Sequence, residues 1–386
     1  MITLRKGSHA LYLLTLLSVA GEFPVSSLHL LGKERVIKTL VHKMTELQDY
    51  RFSQTDPPFS CKLLRISGKG KNKSLRFSKT ALPLLERIPG ASEYYRKAFW
   101  NHKFPGDDAH RNRNFRVAES IAMSMAIGME CRPYILPPMQ NSQISMVVPQ
   151  YSAYYLAKEF KKLDESEMNK TMFTRMTGAI FTHGEAYAVY NTRNAVMKWN
   201  GMGEFKALHN LIEIGRMNAG INRIDSALLL GESEEIALKT LESTPKSRRI
   251  EFRFDNIYQH VHFVPMNSFG MRLLRLFTIP EWKTKLQDLL FDPEFQSGGK
   301  GVMEYDAYID SKYIYSHLDG DIARLMRLRE ALQLKNEDFE ILSFPEQLPL
   351  LRKYLGPHVS YKTIDMDSVE AALGLDGGEI FERTIP

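Results

Sequence analysis

The feature that most constrains this chain is the order of patterns in its first eighty residues: three helical runs, then two short strands around a glycine–lysine turn. Ser8 to Ala20 is largely apolar and is broken by Gly21. Phe23-Pro24 turns the chain, and Val25 to Leu31 reads as a short second helix ended by Gly32. From Lys33 to Leu47 a third helix is expected. Val36, Ile37, Leu40, Val41, Met44 and Leu47 recur at helical spacing and form one apolar stripe. Leu63 to Ser67 and Leu75 to Ser78 read as strands, joined by Gly68-Lys69-Gly70-Lys71-Asn72-Lys73.

This order is the pattern of a winged helix-turn-helix, and the charge distribution fits one. Residues 1–100 hold 17 Lys and Arg against 7 Asp and Glu, whereas the whole chain carries only +6. Residues 61–80 contain seven basic residues and no acidic one. A basic segment inside a folded sequence suits the phosphate backbone, because each neutralised phosphate releases counterions. The residues expected to touch DNA are Lys33, Arg35, Lys38, Thr39, His42 and Lys43 on the third helix, and Arg65, Lys69, Lys71, Asn72, Lys73 and Arg76 on the hairpin. Arg111 and Arg113, at the start of a later helix, extend the set. The helix would enter the major groove and the wing would lie along phosphates. The bland alternatives are a solvated charged hairpin and a protein-docking module.

A chain of 386 residues is long enough for two or three domains. The two cysteines, Cys61 and Cys131, supply neither a disulfide framework nor a metal-ligand pair, so a reducing cytoplasm is expected. Arg5 and Lys6 before the run Leu11 to Ala20, with Ser18-Val19-Ala20 after it, imitate a secretory signal. The run leads straight into the helix-turn-helix pattern and is read as a buried helix. No stretch is long enough to span a bilayer, so no membrane partner is expected.

The expected organisation is α+β and multidomain: a winged-helix domain at 1–100, a helix and proline-rich connector at 101–152, and an α/β domain at 153–386. A helix is read from His110 to Gly128, and strands at Ala153–Phe160, Gly178–Thr182 and Ala186–Asn191. A helix at Gly203–Met217 follows, and then alternation: strand Ser226–Leu230, helix Ser233–Leu241, strand Val261–Val264, helix Ser268–Phe277, strand Ile309–Tyr315, helix Asp321–Leu332, strand Phe339–Phe344 and helix Leu348–Tyr354. Helix, three strands, helix, strand is the core of the restriction-endonuclease-like fold.

With the amino-terminal winged helix, the helix at His110–Gly128 and the hairpin Thr177-Gly178-Ala179-Ile180 to Ala188-Val189-Tyr190-Asn191-Thr192 make the chain resemble the replication-relaxation family of plasmids and conjugative elements. The resemblance covers roughly residues 8–265. It implies an accessory protein that binds duplex DNA at a transfer or replication origin and assists a partner such as a relaxase.

An active nuclease of this fold carries an Asp at the start of its second strand and Glu-x-Lys on its third, which together hold a divalent metal. The matching positions are Gly178 and Ala188, Val189 and Tyr190. Glu119, Glu185, Glu204-Phe205-Lys206 and Glu159-Phe160-Lys161 are read as structural or surface residues. No catalytic residue, metal or cofactor is therefore expected.

Two alternatives remain open. His260-Val261-His262 is an HxH on a strand, the metal-binding element of HUH-type relaxases, with Tyr305, Tyr308, Tyr313 and Tyr315 available as nucleophiles. A third metal-ligand His and a helix-borne tyrosine in suitable context are missing from that reading. The other alternative is a transcriptional regulator whose larger domain senses a ligand or dimerises. Gly201-Met202-Gly203 lacks a phosphate-loop lysine, and Gln296 to Gly301 with Lys300 reads as a loop.

Overall fold

The computed structural model describes residues 1–88, 91–99, 104, 107–132, 152–157, 175–182, 184–197, 199, 202–217, 221, 223–246, 253–296, 304–334 and 337–375. The chain is α+β and forms two compact units, divided between residues 133 and 134.

The first unit contains β1 (Ile2–Thr3), α1 (His9–Ala20), β2 (Glu22–Pro24), a 3-10 helix Val25–Leu31 and α2 (Glu34–Thr45). It continues with β3 (Gln48–Arg51), β4 (Phe59–Cys61), β5 (Leu64–Ser67), β6 (Ser74–Phe77), α3 (Leu82–Leu85), α4 (Ala91–Ala98), α5 (Asp108–Ala126) and β7 (Glu130–Arg132). Ser8 caps α1 by accepting from the Leu11 N–H, and Gly21 ends it at φ 74°. The signal-like run is thus a core helix: Leu13, Leu14, Leu16 and Leu17 are buried.

The expected hairpin forms in the register Leu64 to Phe77 and Ser67 to Ser74. Phe23-Pro24, read as a turn, instead belongs to a third strand, because β2 adds antiparallel to β6. A second small sheet, β1-β3-β4, escaped the sequence pattern because its strands are only two to four residues long.

Helix α5 belongs to this unit rather than leading into the second. The Tyr12 hydroxyl donates to the Ala122 carbonyl at 3.0 Å, Ser27 Oγ to Glu119 Oε1 at 2.6 Å, and Asn114 Nδ2 to Glu22 Oε1 at 3.1 Å. The first boundary therefore falls near residue 133, not 100.

The second unit carries β8 (Ala153–Leu156), β9 (Met176–Phe181), β10 (Glu185–Arg193), α6 (Met202–Met217), β11 (Arg223–Gly231), α7 (Glu234–Ser243), α8 (Phe254–Ile257) and β12 (His260–Pro265). Strands β8, β9 and β10 form an antiparallel meander, and β11 and β12 add in parallel beyond β10. Then come α9 (Ser268–Leu276), α10 (Trp282–Leu290), β13 (Ala307–Ile309), β14 (Lys312–Ser316), α11 (Ile322–Leu334), β15 (Phe339–Ser343), α12 (Leu348–Leu355), β16 (Ser360–Thr363) and α13 (Met366–Ala372).

Strands β13-β14-β15-β16 make a second sheet, and one apolar core runs through both sheets. The single strand expected at Ile309–Tyr315 is a hairpin, folded at Asp310 and Ser311 with φ of 49° and 65°. Positive φ at both turn residues makes the tight return. The proline-rich stretch 133–149, Glu159 to Lys161, and Lys300 lie outside the described residues.

Candidate nucleic-acid interface and a buried charge cluster

Helix α2 buries Ile37, Val41 and Met44 and exposes Lys33, Arg35, Lys38, Thr39, His42 and Lys43. Its apolar stripe is narrower than the spacing suggested. Val36 is 50% exposed and stands among these polar residues, and Leu47 lies past the helix end, also exposed. Lys38 pairs with Glu34 at 2.6 Å, and His42 Nδ1 lies 3.5 Å from Glu46. Such exposed pairs contribute little, so Lys38 can exchange its carboxylate for phosphate. Thr39 donates its hydroxyl to the Arg35 carbonyl at 2.9 Å.

At the hairpin tip Lys69, Lys71 and Lys73 are exposed, as is Arg65 on β5. Gly68 is required there. It sits at φ 87°, and a Cβ would meet the Asn72 carbonyl oxygen at 2.2 Å. Asn72 donates to Asp108 Oδ1 at 3.0 Å, which fixes the tip against the start of α5.

Two expected contact residues are placed otherwise. Arg76 is buried: its Nε and Nη2 reach Glu22 Oε2 at 3.0 and 2.7 Å, and its guanidinium lies 4.2 Å from the Phe104 ring centre. Glu22, wholly buried, also accepts from Ser74 Oγ at 3.1 Å. Arg76 serves the interior because it lies on the central strand opposite the buried Glu22 of β2, whereas its other partner, Arg65, lies on the edge strand β5 and is exposed. Arg111 is only 17% exposed at its side chain, 4.0 Å from Asp108. Arg113 is exposed.

At Gly178 and Ala188 to Tyr190, the positions that the expected nuclease-like core would match to metal ligands, the second unit is closed. A Cβ on Gly178 would lie 2.4 Å from the Tyr154 hydroxyl and 2.4 Å from the Tyr155 carbonyl oxygen. Ala188, Val189 and Tyr190 are buried. Glu119 accepts from Ser27, and Glu185, expected in open solvent, is half-buried and accepts from the Tyr187 hydroxyl. Glu204 is buried, which raises its carboxyl above the usual range.

The HxH pair sits in a charge cluster. His260 and His262 point the same way from β12, with ring planes 9° apart and centres at 6.1 Å. Strand β12 ends its sheet, and the loop His317-Leu318-Asp319-Gly320-Asp321 closes its free edge. The Val261 N–H donates to Asp321 Oδ1 at 3.0 Å and the Phe263 N–H to the Gly320 carbonyl at 2.9 Å. Gly320 allows this approach: its φ is 66°, and a Cβ would come within 2.8 Å of the Phe263 carbonyl oxygen. Asp321 Oδ1 also accepts the Ala323 and Arg324 N–H groups and so starts α11.

His260 Nδ1 lies 2.7 Å from Asp321 Oδ2. His262 is completely buried, held edge-on between Tyr187 and Phe277. Its Nδ1 is 3.1 Å from the Asp319 carbonyl, and its Nε2 is 3.3 Å from Lys283 Nζ on α10. A carbonyl only accepts and an ammonium only donates, so the imidazole is neutral, with the proton on Nδ1. Burial, reinforced by the Lys283 charge, pushes its pKa down to about 3.

Lys283 Nζ also lies 3.0 Å from Asp319 Oδ2. Burial opposes charge on Asp319 and Asp321, yet Lys283 for the first and the His260 hydrogen bond for the second hold both carboxyls low. Of the four tyrosines considered as nucleophiles, Tyr315 is fully buried under the Arg324 guanidinium, and Tyr313 is met edge-on by Tyr305 and at a tilt by Tyr308. The sequence reading missed Asp319, Asp321 and Lys283. The Asp-Gly-Asp spacing was a usable signal; the lone lysine was not.

No family model matches the chain, and no curated protein and no solved structure is significantly similar to it. Among the described residues no helix is long and apolar enough to cross a membrane.

Proposed function

We propose that the first unit is a winged-helix module that binds duplex DNA, and that the chain is a cytoplasmic accessory protein of a mobile genetic element. It acts at a transfer or replication origin beside a partner such as a relaxase. The observation that carries the DNA reading is the joint exposure of Arg35, Lys38, Thr39, His42 and Lys43 on α2 and Arg65, Lys69, Lys71 and Lys73 on the hairpin. The hairpin sequence itself contains no acidic residue; Asp108 of α5 bonds to Asn72 at its tip. The mobile-element setting rests on the family resemblance alone.

The second unit is read as a restriction-endonuclease-like domain without nuclease chemistry. The antiparallel meander β8-β9-β10, followed by α6 and the parallel strand β11, supports the fold assignment. The space closed at Gly178 supports the loss of the site.

The test is fluorescence anisotropy of the full chain on duplexes from its element's origin and on scrambled duplexes, across a salt series. About five phosphate contacts give a log–log slope of roughly −4 to −5. Origin duplex should bind more tightly than scrambled duplex. No binding to either at low salt would refute the reading. Nicking of origin DNA by the protein alone would replace it with the relaxase alternative.

A further inference from the structure

We propose that His262, Asp319 and Asp321 form a divalent-cation site in the second unit, and that Lys283 is the built-in cation that fills it when no metal is bound. The proposal is independent of the DNA-binding reading. These three side chains offer ligand atoms that all lie within 4.8 Å of one another. A first-row metal bonded at ~2.0–2.2 Å needs ligand atoms no more than about 4.4 Å apart. The required closure is a few tenths of an ångström, within the reach of side-chain adjustment.

The donor chemistry suits such an ion. His262 keeps its proton on Nδ1, where the Asp319 carbonyl accepts it, so Nε2 presents its lone pair. That backbone contact fixes the tautomer a metal-ligating histidine needs. Asp319 Oδ1 accepts the Asp321 N–H at 3.1 Å, which leaves Oδ2 facing Lys283. Asp321 is oriented by three backbone N–H groups on Oδ1, and its Oδ2 has capacity beyond the His260 bond. One nitrogen and two carboxylate oxygens fit Mn²⁺ or Zn²⁺.

Lys283 marks the position. Its ammonium contacts Asp319 Oδ2 and His262 Nε2, atoms of two of the three residues, at 3.0 and 3.3 Å. Lys283 and Asp319 also line a cavity of about 220 Å³, with His260, Trp282, Asp306 and Arg324 among the other walls. Of the three ligands Asp319 faces this cavity, so an ion would enter past Asp319 and displace Lys283. Binding is then a competition between an internal ammonium and an external dication.

The experiment is Mn²⁺ binding to the full-length protein, followed by the loss of the free-ion electron paramagnetic resonance signal. Pulsed measurements then seek nitrogen coupling from the imidazole. Wild type should bind one Mn²⁺ saturably with nitrogen coupling. Lys283→Met removes the competitor and should tighten binding at least tenfold. Asp319→Asn should weaken it at least tenfold, with circular dichroism checking its fold. Lys283→Met keeps all three ligands and tests the proposal even if Asp319→Asn fails to fold. Absence of saturable Mn²⁺ binding to Lys283→Met, or bound Mn²⁺ without nitrogen coupling, would overturn the site and leave the cluster a structural ion network.

Discussion

Arg76 turns inward and meets Glu22 across the β2–β6 pairing, with Nη2 2.7 Å from Oε2 and both side chains buried. A residue whose place in a basic hairpin suggested phosphate contact is thus part of the interior. Truncating one partner of a buried ion pair strands the other charge. Arg76→Ala should therefore destabilise the protein by about 3–5 kcal/mol. Lys69→Ala, on the exposed tip, should stay within about 0.5 kcal/mol. Urea unfolding of the full chain compares them; equal midpoints would contradict the assigned burial.

The same pairing decides where the first unit can be cut. Glu22, Ser27 and Tyr12 all bond to residues of α5. A fragment ending near residue 100 loses these partners and leaves polar groups buried without them. A fragment of residues 1–132 should fold cooperatively and bind duplex DNA, and one of residues 1–100 should do neither. Circular dichroism melts and anisotropy on the two fragments measure this.

For the β5–β6 hairpin, the exposed set gives a countable expectation. Lys69, Lys71 and Lys73 replaced together by Ala should make the log–log salt slope shallower by roughly 2–3, since each phosphate contact contributes about 0.9. The change should be similar on origin and scrambled duplexes, because phosphate contacts carry no sequence information. An unchanged slope would take the hairpin out of the interface.

Much of the fold was legible where periodicity was long. Helices α1, α2 and α5 and strands β9 to β12 fall where apolar spacing places them. The misses have local causes. Strands β1 and β3 are too short to show alternation, and the turn at Asp310-Ser311 lacks the usual Asn-Gly signature. Val36 matched the apolar stripe but sits at its margin, where a helix stripe meets solvent. Burial of Arg76 depended on Glu22, more than fifty residues away and itself inside the fold. The histidine cluster was half legible: the HxH spacing shows in sequence, but the loop that covers a sheet edge is a tertiary fact.

The cluster makes stability depend on pH. Burial lowers His262 to about 3 and His317 to about 4, against an ordinary value of 6.5. Below about pH 6.5 the unfolded chain takes up protons at both positions while the folded chain does not. Stability therefore falls as pH falls from 6.5 towards 4, by up to about 3 kcal/mol per pH unit for two such groups. The depressed carboxyls of Asp319 and Asp321 extend the loss at still lower pH. Urea midpoints at neutral and mildly acid pH, in chelator, should show the decline, and His317→Gln should roughly halve its slope. A midpoint constant across that range would show that the imidazoles are not held neutral.

Gly178 gives the sharpest test of the proposal that a nuclease-like position is closed. Its backbone is packed against Tyr154 and the Tyr155 carbonyl so tightly that a Cβ would sit 2.4 Å from each. The Tyr155 contact is backbone and cannot rotate away, and Tyr154 is itself fully buried. Gly178→Ala should therefore cost about 1–3 kcal/mol through overpacking. Gly178→Asp, which supplies the carboxylate that an active nuclease has here, should cost more, because it adds an unpaired buried charge to the clash. It should not create Mg²⁺-dependent cleavage, since Ala188, Val189 and Tyr190 on the neighbouring strand provide no second carboxylate. Thermal melts of the two variants and a supercoiled-plasmid assay with Mg²⁺ decide the matter. A stable Gly178→Asp protein that cleaves DNA would mean that the pocket is open and that one substitution separates this chain from a nuclease.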